Sequence, residues 1–482
     1  MTMKLGVQEE PAIYKVLLGL ANTVPLAHVT EFNPRRHSVP PADADLVSFV
    51  PMRAVTEESG HIDSEACRPW SEVKKGYTAF QNGDVIFAKI TPCMENGKFA
   101  LASALHGGRA AGSTEFHVFR AKPGLLPKYL FHFLFTPYVR RGAKMNMKGA
   151  AGQLRVPIQF FEGLRIPLPA PEEQKRVVDY LDEQLSRLDA SVAALHRVKA
   201  NLKRYRASVL KSACEGRLVP TEAELARREG RNFETGTQLL HRVACERERF
   251  GTSHIRTTED VKPELTGLDE PPAGWTWASG GQALNHIEAG KSFKCEERPP
   301  LAGEVGVLKV SSVSWGEFDE EESKTCVDEE KIDARYMVKA GDLLFSRANT
   351  IELVGACVIV NVVHRTLMLS DKTLRFSVSS AILPQWLLYC LRSQLGRADI
   401  ERLSTGNQES MRNIGQARIR QIRVPLPPLA EQHRIVAEAD RRLSLIRVAE
   451  AQVAANLARA QRLRQSILQA AFSGPGSTSS KM

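Results

Sequence analysis

The longest regular pattern of hydrophobic positions in the chain lies between Glu172 and about Gly216. Its apolar residues recur in alternating steps of three and four, at Val178, Leu181, Leu185, Leu188, Val192 and Leu195. Prolines extend the chain before Glu172, acidic residues suit the positive N-terminal end of a helix, and Gly216 is a typical helix stop. The narrow apolar stripe between charged residues predicts one long helix with a coiled-coil seam.

A similar stripe follows Glu431, with apolar residues at Leu443, Ile446, Val453 and Leu457. At ~1.5 Å per residue each helix would reach roughly 65 Å, which is longer than a compact domain of this size needs. Each stripe has room for one long partner, and the other helix is the nearest candidate. We therefore predict two spacer helices that pair as an antiparallel coiled coil. The alternative is that each helix folds onto its own domain.

The sequence around the first helix returns 258 residues later. The run RIPLPAPEEQKR from Arg165 returns as RVPLPPLAEQHR from Arg423. Upstream, GDVIFAK from Gly83 returns as GDLLFSR from Gly341, and downstream the run SVLKSACEG returns as SILQAAFSG. One offset that fits three separated blocks indicates a duplicated domain-plus-helix module, because solenoid repeats are only a few tens of residues long.

The segment before each long helix shows the same order of strand-like and helix-like patterns. Strand-like runs lie at 84–90 and 116–119 in the first copy, and at 341–346, 355–363 and 373–378 in the second. The runs at 126–135 and 384–392 have helical patterns. We therefore predict a mixed α/β fold, in which two globular domains are separated by two long helices and related by an internal pseudo-two-fold duplication.

This pattern predicts seven consecutive segments. They are an N-terminal extension at 1–20, a first domain at 21–165, a first long helix at 166–218, a helical connector at 219–272, a second domain at 273–423, a second long helix at 424–474 and a disordered tail at 475–482.

Composition narrows the class of protein. The chain carries 65 basic and 55 acidic residues, with a net charge of +10 and a pI of about 9.2, which is typical of a protein with a polyanionic partner. Charge that serves only solubility is an equally good alternative on composition alone. No apolar run reaches the length of a membrane span or of a signal peptide, so a cytoplasmic location is expected. The eight cysteines are scattered without metal-ligand spacing and are expected to be reduced thiols.

Motifs for catalysis are weak in this sequence. The strings at 32–35 and 269–272 lack the aromatic residue that follows paired prolines in adenine methyltransferases, and the AGKS run ending at Ser292 has Asn285 where a phosphate-binding loop needs glycine. Asp63, Glu72 and Lys74 have nuclease-like spacing, but the second copy offers no equivalent. The histidines at 106, 117 and 132 have no recognisable nucleophile nearby. We expect no catalytic residues and no metal site.

Several motifs together resemble a known family. They are the two PLP…EQ blocks, KITPCMENGK at 89–98, STEFHV at 113–118, GAAGQLR at 149–155, GNQESMR at 406–412 and the Gly274-Trp275 pair. From about Val24 to Gly474 the chain resembles the DNA-specificity subunit of type I restriction-modification enzymes. The first module lacks the Gly-Trp pair and begins VPLAHVTEF at Val24.

The resemblance implies a subunit without catalytic activity. Each globular domain would recognise one half of a split, double-stranded DNA target, and the paired helices would set the gap and dock two methyltransferase subunits. Restriction subunits would join through them, and S-adenosylmethionine, ATP and magnesium are expected on these partners and not on this chain. A stand-alone DNA-binding regulator is disfavoured by the lack of a helix-turn-helix or zinc module. A coiled-coil scaffold would leave the duplicated basic loops unexplained.

Two sets of loop residues are the candidate DNA contacts, because amide, amine and guanidinium donors there could meet base edges or phosphates. Ordinary solvated loops are the alternative. The first set follows a strand and a glycine-rich stretch and comprises Lys89, Asn96, Lys98, Lys144, Lys148, Gln153 and Arg155. The second occupies the equivalent places in the second copy and comprises Arg347, Asn349, Thr350, Asn407, Gln408, Ser410 and Arg412.

Overall fold

The computed structural model describes residues 23–472, except 36, 59, 64–65, 151, 250–261, 380 and 409–410. The predicted extension at 1–20 and tail at 475–482 lie outside the described residues. Contacts divide the chain into two compact units. The first unit contains the chain up to Arg197 together with the chain from Val453 onward, and the second contains Val198–Gln452. Both boundaries fall inside long helices, so each unit contains a part of both helices.

The strands of the first unit are short and lie between Thr23 and Pro167. They are β1 (Thr23–Pro25), β2 (Thr30–Phe32), β3 (Leu46–Val50), β4 (Cys67–Pro69), β5 (Thr78–Gln81), β6 (Asp84–Ala88), β7 (Phe99–Leu101), β8 (Arg109–Gly112), β9 (Phe116–Ala121) and β10 (Arg165–Pro167).

The second unit has a similar series of strands. They are β11 (Thr276–Ser279), β12 (Leu284–Ala289), β13 (Cys295–Glu296), β14 (Val305–Leu308), β15 (Ser323–Cys326), β16 (Leu343–Ser346), β17 (Ala348–Asn349), β18 (Cys357–Ile359), β19 (Thr366–Met368), β20 (Thr373–Val378), β21 (Thr405–Gln408), β22 (Met411–Asn413) and β23 (Arg423–Leu426).

Helices connect and cover these strands. The α-helices are α1 (Leu26–Val29), α2 (Trp70–Val73), α3 (Pro127–Leu134), α4 (Pro137–Met145), α5 (Ile158–Glu162), α6 (Pro171–Cys214), α7 (Glu222–Glu229), α8 (Gly236–Arg249), α9 (Gly280–Ala283), α10 (Pro384–Arg392), α11 (Gln394–Leu403), α12 (Gln416–Ile419) and α13 (Leu429–Phe472). Short 3-10 helices lie at Met52–Ala54, His106–Gly108, Val310–Ser312, Glu329–Lys331 and Ala334–Tyr336.

The two units share one topology. In each, the strand that starts the domain pairs with the strand before the long helix, β1 with β10 and β11 with β23. The first unit then has sheets ordered β2-β9-β6-β7 and β4-β3-β8-β5, and the second has β12-β20-β16-β18 and β13-β15-β14-β19. Each second sheet contains one parallel pair, β3 with β8 and β14 with β19. The second unit adds a sheet ordered β17-β22-β21.

Local sequence explains where the main elements form. Strand β6 is buried at every position, which accounts for its continuous apolar run instead of an alternating one. Pro127 and Pro384 stand at the first helical position of α3 and α10, where a missing N–H leaves no helix bond unmade. Thr221 and Glu224 form a capping box that begins α7.

Aromatic packing fills both cores. In the first unit Phe87 stacks on Phe99 at 3.9 Å between ring centroids, and Phe161 meets Phe87 edge-on. In the second unit the buried Trp386 meets Trp275 edge-on at 5.7 Å. Such pairs stabilise beyond the area they bury. No helix in the described part of the chain is long and apolar enough to cross a bilayer. All eight cysteines are free thiols.

The long helices α6 and α13 run antiparallel within each unit. In the first unit Leu181 and Leu468 belong to one core, and Asp189 pairs with Arg464 further along. In the second unit Arg206 and Glu450 form an ion pair at 2.6 Å. The residues of the predicted seam divide into two groups: Val178, Leu181, Leu185, Leu188, Ile446 and Val453 are buried, whereas Val192, Leu195, Leu443 and Leu457 are half-buried. The predicted mixed α/β fold with duplicated domains and two paired long helices is confirmed.

A buried glutamine fastens each domain to its long helix. Gln174 accepts a hydrogen bond from the Leu126 N–H at 2.8 Å and donates to the carbonyls of Gly124 and Pro169. Gln432 accepts from the Leu383 N–H at 3.0 Å and donates to the carbonyls of Ala381 and Pro427. Both glutamines are fully buried. We call these two residues the clamp glutamines, and their bonds explain why the glutamine of the repeated motif occurs in both copies.

Candidate nucleic-acid interface

Three loops of the first unit meet just beyond strand β6. The Lys89 N–H donates to the Glu115 carbonyl at 2.9 Å, and the Val156 N–H donates to the Lys89 carbonyl at 2.9 Å. Arg155 forms single β-bridges with Ile90 and with Lys148. These bonds join segments 89–98, 113–115 and 144–156, which we call the first loop cluster. The structure therefore brings the first set of predicted residues into one region.

The same bonds recur in the second unit. The Arg347 N–H donates to the Lys372 carbonyl at 2.9 Å, and the Ile414 N–H donates to the Arg347 carbonyl at 2.9 Å. Asn413 pairs with Ala348 and with Thr405. Segments 347–354, 370–372 and 404–414 form the second loop cluster. Each of its bonded positions lies 257 or 258 residues after its counterpart in the first cluster.

Equivalent glycines shape one turn in each cluster. Gly149 has a φ of +135°, and Gly406 has a φ of +131°. A Cβ added at Gly149 would stand 2.8 Å from the Gln153 carbonyl oxygen, and one added at Gly406 would stand 2.4 Å from the Met411 carbonyl oxygen. Only glycine allows both this backbone conformation and this close approach. The glycine-led character of both predicted stretches thus has a steric cause.

Some predicted contacts in the first cluster are tied to the protein itself. The Lys98 ammonium donates to the Val55 carbonyl at 3.1 Å and, more weakly, to that of Met52. Asn96 donates to the Glu57 carboxylate at 2.9 Å. Lys144 forms an ion pair with Glu95 at 2.7 Å. Lys98 therefore holds its loop against the segment that contains Met52 and Val55. Asn96 and Lys144 would have to leave their carboxylate partners before they could contact DNA.

Three other predicted side chains of this cluster are unengaged. Among the described residues, the ammonium groups of Lys89 and Lys148 and the side-chain amide of Gln153 make no hydrogen bond or ion pair. Lys148 and Gln153 are exposed, and Lys89 is half-buried. Long cationic side chains with no internal partner are available for phosphate contacts.

The second cluster differs in its side chains. Neither the Arg347 guanidinium nor the Thr350 hydroxyl has a partner within the described residues. The Asn349 side chain accepts from the Thr350 N–H at 2.8 Å, and Arg412 donates to the Gly406 carbonyl at 2.6 Å. Asn407 and Gln408 belong to strand β21. Ser410 lies outside the described residues.

Two buried or paired groups shape the electrostatics of the first cluster. The His117 ring contacts the Val156 carbonyl at 2.9 Å and the Asn33 amide at 3.3 Å. Burial lowers the pKa of His117, which favours a neutral ring that holds the loop in place. Hydrogen bonds from Arg155 lower the pKa of the Glu115 carboxyl, which is therefore ionised at neutral pH.

The weak catalytic motifs do not assemble into a site. A Cβ on Gly290 would stand 1.9 Å from the Leu369 carbonyl oxygen, so the AGKS run lies against the segment that follows β19 and does not lead into a helix. Lys74 pairs with Asp43 at 2.8 Å, and the buried His132 contacts Asp182 at 3.3 Å. In the described part of the chain, no three metal-ligating side chains cluster.

Sequence reasoning missed several residues of these regions. The carbonyls of Glu115 and Lys372 accept the N–H of the first residue after β6 and β16. Asn413 takes the place of Arg155 in the second cluster. The sequence shows the clamp glutamines as part of a repeated motif but does not indicate their structural role. The constant offset between the copies was the signal that could have found Lys372 and Asn413.

Comparisons with known proteins agree with this geometry. Residues 59–203 match the family model described as the type I restriction modification DNA specificity domain. The chain is 30% identical over 461 residues to the specificity subunit of the type I restriction enzyme EcoEI from Escherichia coli, covering 86% of this chain and 76% of that protein. The EcoAI specificity subunit from the same species is 26% identical over 467 residues, with the same coverage.

A solved structure supports the same assignment at the level of the fold. The chain resembles, with a TM-score of 0.59 and 21% identity, a chain from a study of complex assembly and conformational transition in a type I R-M system. The match covers 94% of this chain and 97% of that one. This chain belongs to the family of type I restriction enzyme specificity subunits. It is a DNA-recognition subunit of a restriction-modification system.

Proposed function

We propose that the two loop clusters each recognise one half of a bipartite double-stranded DNA target. The observation that carries this proposal is the pair of equivalent loop clusters, joined by the same backbone hydrogen bonds but lined by different side chains. A shared framework gives each cluster the same way of presenting its side chains. Different side chains give each cluster its own sequence preference, because base edges differ in their donors and acceptors.

Free cations support DNA as the ligand of both clusters. Lys89 and Lys148 in the first cluster and Arg347 in the second make no side-chain hydrogen bond or ion pair within the described residues. Each such cation can neutralise a phosphate and release counterions, which favours binding without regard to sequence. Base contacts by neighbouring side chains then supply the selectivity.

We further propose that the long helices dock two methyltransferase subunits, and restriction subunits through them. In the second unit the helices expose the apolar side chains of Tyr205, Leu445 and Val448, two of them on α13 one turn apart. Exposed apolar residues at that spacing suit a partner protein. On this proposal the partner subunits bind S-adenosylmethionine, ATP and magnesium, and this chain recognises the DNA sequence.

Domain exchange tests the proposal. Replacing residues 273–423 by the corresponding domain of another specificity subunit should change one half of the methylated target and leave the other half and the gap unchanged. Sequencing the methylome of cells that express the hybrid with its methyltransferase subunits gives the answer. A hybrid that alters both halves would contradict independent recognition.

A DNA-binding assay separates the remaining alternatives. The purified chain is mixed with DNA carrying the methylated target, with and without a methyltransferase subunit. We expect tight, sequence-specific binding only with the subunit present. Specific binding by the chain alone would indicate a stand-alone regulator, and no binding in either case would indicate a scaffold.

A further inference from the structure

The two loop clusters differ most sharply at two equivalent positions. The first position holds Glu115 in the first unit and Lys372 in the second, because each offers its carbonyl to the N–H that follows β6 or β16. The second position holds Arg155 and Asn413. Arg155 bridges to Ile90 and Lys148, and Asn413 pairs with Ala348 and Thr405 at the corresponding places. The backbone hydrogen bonds are therefore the same in the two clusters, whereas the side chains at both positions differ.

Arg155 is held in one orientation. Its Nε and Nη2 atoms donate to the Glu115 carboxylate at 3.0 and 2.8 Å, and Nη1 donates to the Gln153 carbonyl at 3.2 Å. A bidentate bond to a carboxylate fixes both the position and the plane of a guanidinium group. Arg155 therefore samples fewer rotamers than an unpaired surface arginine would.

This arrangement leaves donors for a second bidentate contact. A guanidinium has five N–H groups, and the three bonds to Glu115 and Gln153 leave one N–H on Nη1 and one on Nη2 without a partner among the described residues. The Arg155 side chain is 43% exposed. Both remaining donors lie in the fixed plane of the guanidinium, whose paired N–H groups match the O6 and N7 acceptors of guanine in the major groove.

A carboxylate in a DNA-binding loop needs a reason, because it repels phosphates. Glu115 cancels the charge of Arg155, so the pair adds little to non-specific attraction. The Glu115 carboxylate is explained if its role is to orient the Arg155 guanidinium. In the second unit Lys372 is exposed and unpaired within the described residues, and Asn413 has a buried Oδ1 that lacks a partner there. That unit cannot present a fixed guanidinium at this position.

We propose that Arg155 reads one guanine of the half-site recognised by the first unit, and that Glu115 is its positioning residue. The proposal rests on the proposed function of the loop clusters. It further predicts that the second half-site uses a different base at the equivalent place, since Asn413 and Lys372 offer different donors.

The test uses Arg155→Ala, Arg155→Lys and Glu115→Gln in the full chain, expressed with its methyltransferase subunits. Methylome sequencing should show that both Arg155 variants relax one G·C position of one half-site, with a loss of discrimination of roughly 10-fold to 100-fold there. Arg155→Lys keeps the charge and the fold, so it covers the case in which Arg155→Ala fails to assemble. Glu115→Gln should relax the same position less.

Two further measurements complete the test. Arg109, which pairs with Asp45 outside the loop cluster, provides the matched control, and Arg109→Ala should leave the target unchanged. Binding of the assembled complex to target DNA should keep its salt dependence in Arg155→Ala, because the proposal gives Arg155 no phosphate contact. A uniform loss of affinity with a smaller salt slope, and no relaxed position, would show a phosphate contact and overturn the inference. That result would leave the proposed function standing, since the domain exchange decides it separately.

Discussion

The joint between domain and long helix is alike in the two units, whereas the loop clusters are alike only in their backbones. Gln174 and Gln432 hold the same three peptide groups in the two copies. The clusters keep equally matched backbone bonds but carry Arg155 and Glu115 in one copy and Asn413 and Lys372 in the other. Positions that fix geometry are retained, and the positions that we propose to face DNA differ.

The joints themselves differ in one buried group. Glu173 in the first unit lies near the surface and pairs with Arg176 at 2.8 Å. Its counterpart Glu431 is fully buried and accepts hydrogen bonds from the Trp275 indole at 2.9 Å and from the Glu222 N–H at 2.8 Å. Helix α7 therefore covers the second joint with its N-terminal end. A carboxylate suits that place, because helix N-termini attract negative charge.

The largest effect is expected from removing a clamp glutamine. Gln432→Ala would leave one N–H and two carbonyls of the second joint without their partner in a fully buried place. The free energy of unfolding of the second unit should fall by about 3 kcal/mol, since each buried unsatisfied group costs about 1 to 3 kcal/mol. Urea unfolding followed by tryptophan fluorescence measures this loss.

A matched control shows whether the clamp is the cause. Gln153→Ala removes an exposed glutamine side chain without a partner in the described structure and should change stability by less than about 0.5 kcal/mol. Gln174→Ala should resemble Gln432→Ala in the first unit. If one clamp variant were as stable as the wild type, the two joints would not be equivalent.

A smaller effect is expected from the free lysines of the first loop cluster. Lys89→Ala and Lys148→Ala should each weaken binding of the assembled complex to target DNA and reduce the salt dependence by about one unit of log–log slope. The methylated sequence should not change. Lys128→Ala, which removes a lysine paired with Asp182, is the control and should leave the slope unaltered. A relaxed base position without a change of slope would mean that the lysine contacts a base.

The smallest effect concerns the pH dependence of the second joint. Burial raises the pKa of Glu431 above its ordinary value, although the bonds from Glu222 and Trp275 oppose this. A raised pKa in the folded state means that the contribution of this group to stability is complete below the unfolded pKa and is lost as pH rises through the folded pKa.

The variant Glu431→Gln has no ionisable group at this position, so its comparison with the wild type isolates the contribution of Glu431 to the pH dependence of stability. The wild type should therefore lose stability relative to Glu431→Gln between pH 4 and neutral pH, as measured by urea unfolding at each pH. If the wild type and Glu431→Gln showed the same dependence of stability on pH, burial of Glu431 would not be the cause.

Strong local patterns were predictable from the sequence. The helix expected from Glu172 to about Gly216 spans Pro171–Cys214, and the one expected at 384–392 spans Pro384–Arg392. The strand expected at 355–363 forms a ladder only at Cys357–Ile359, and the Val360 backbone adds hydrogen bonds with Gly341 and Asp342. The sheet of β17, β21 and β22 was missed, since its short polar strands show no alternation.

The candidate site was predictable as loops and not as side-chain contacts. The two stretches of each copy could be matched by their offset from the long helices. The partners of Asn96 and Lys98 come from Glu57, Met52 and Val55, some forty residues earlier in the chain. Such pairings depend on tertiary packing, which local composition does not encode.

The clamp glutamines have a consequence for how target specificity evolves. On the domain side they bond to the N–H of Leu126 or Leu383 and to the carbonyl of Gly124 or Ala381, which are groups of the main chain. Almost any sequence supplies those groups, so a recombined or heavily mutated domain can be accepted without a compensating mutation in the helix. On the proposed function, new specificities therefore arise by changes on one side of the joint alone.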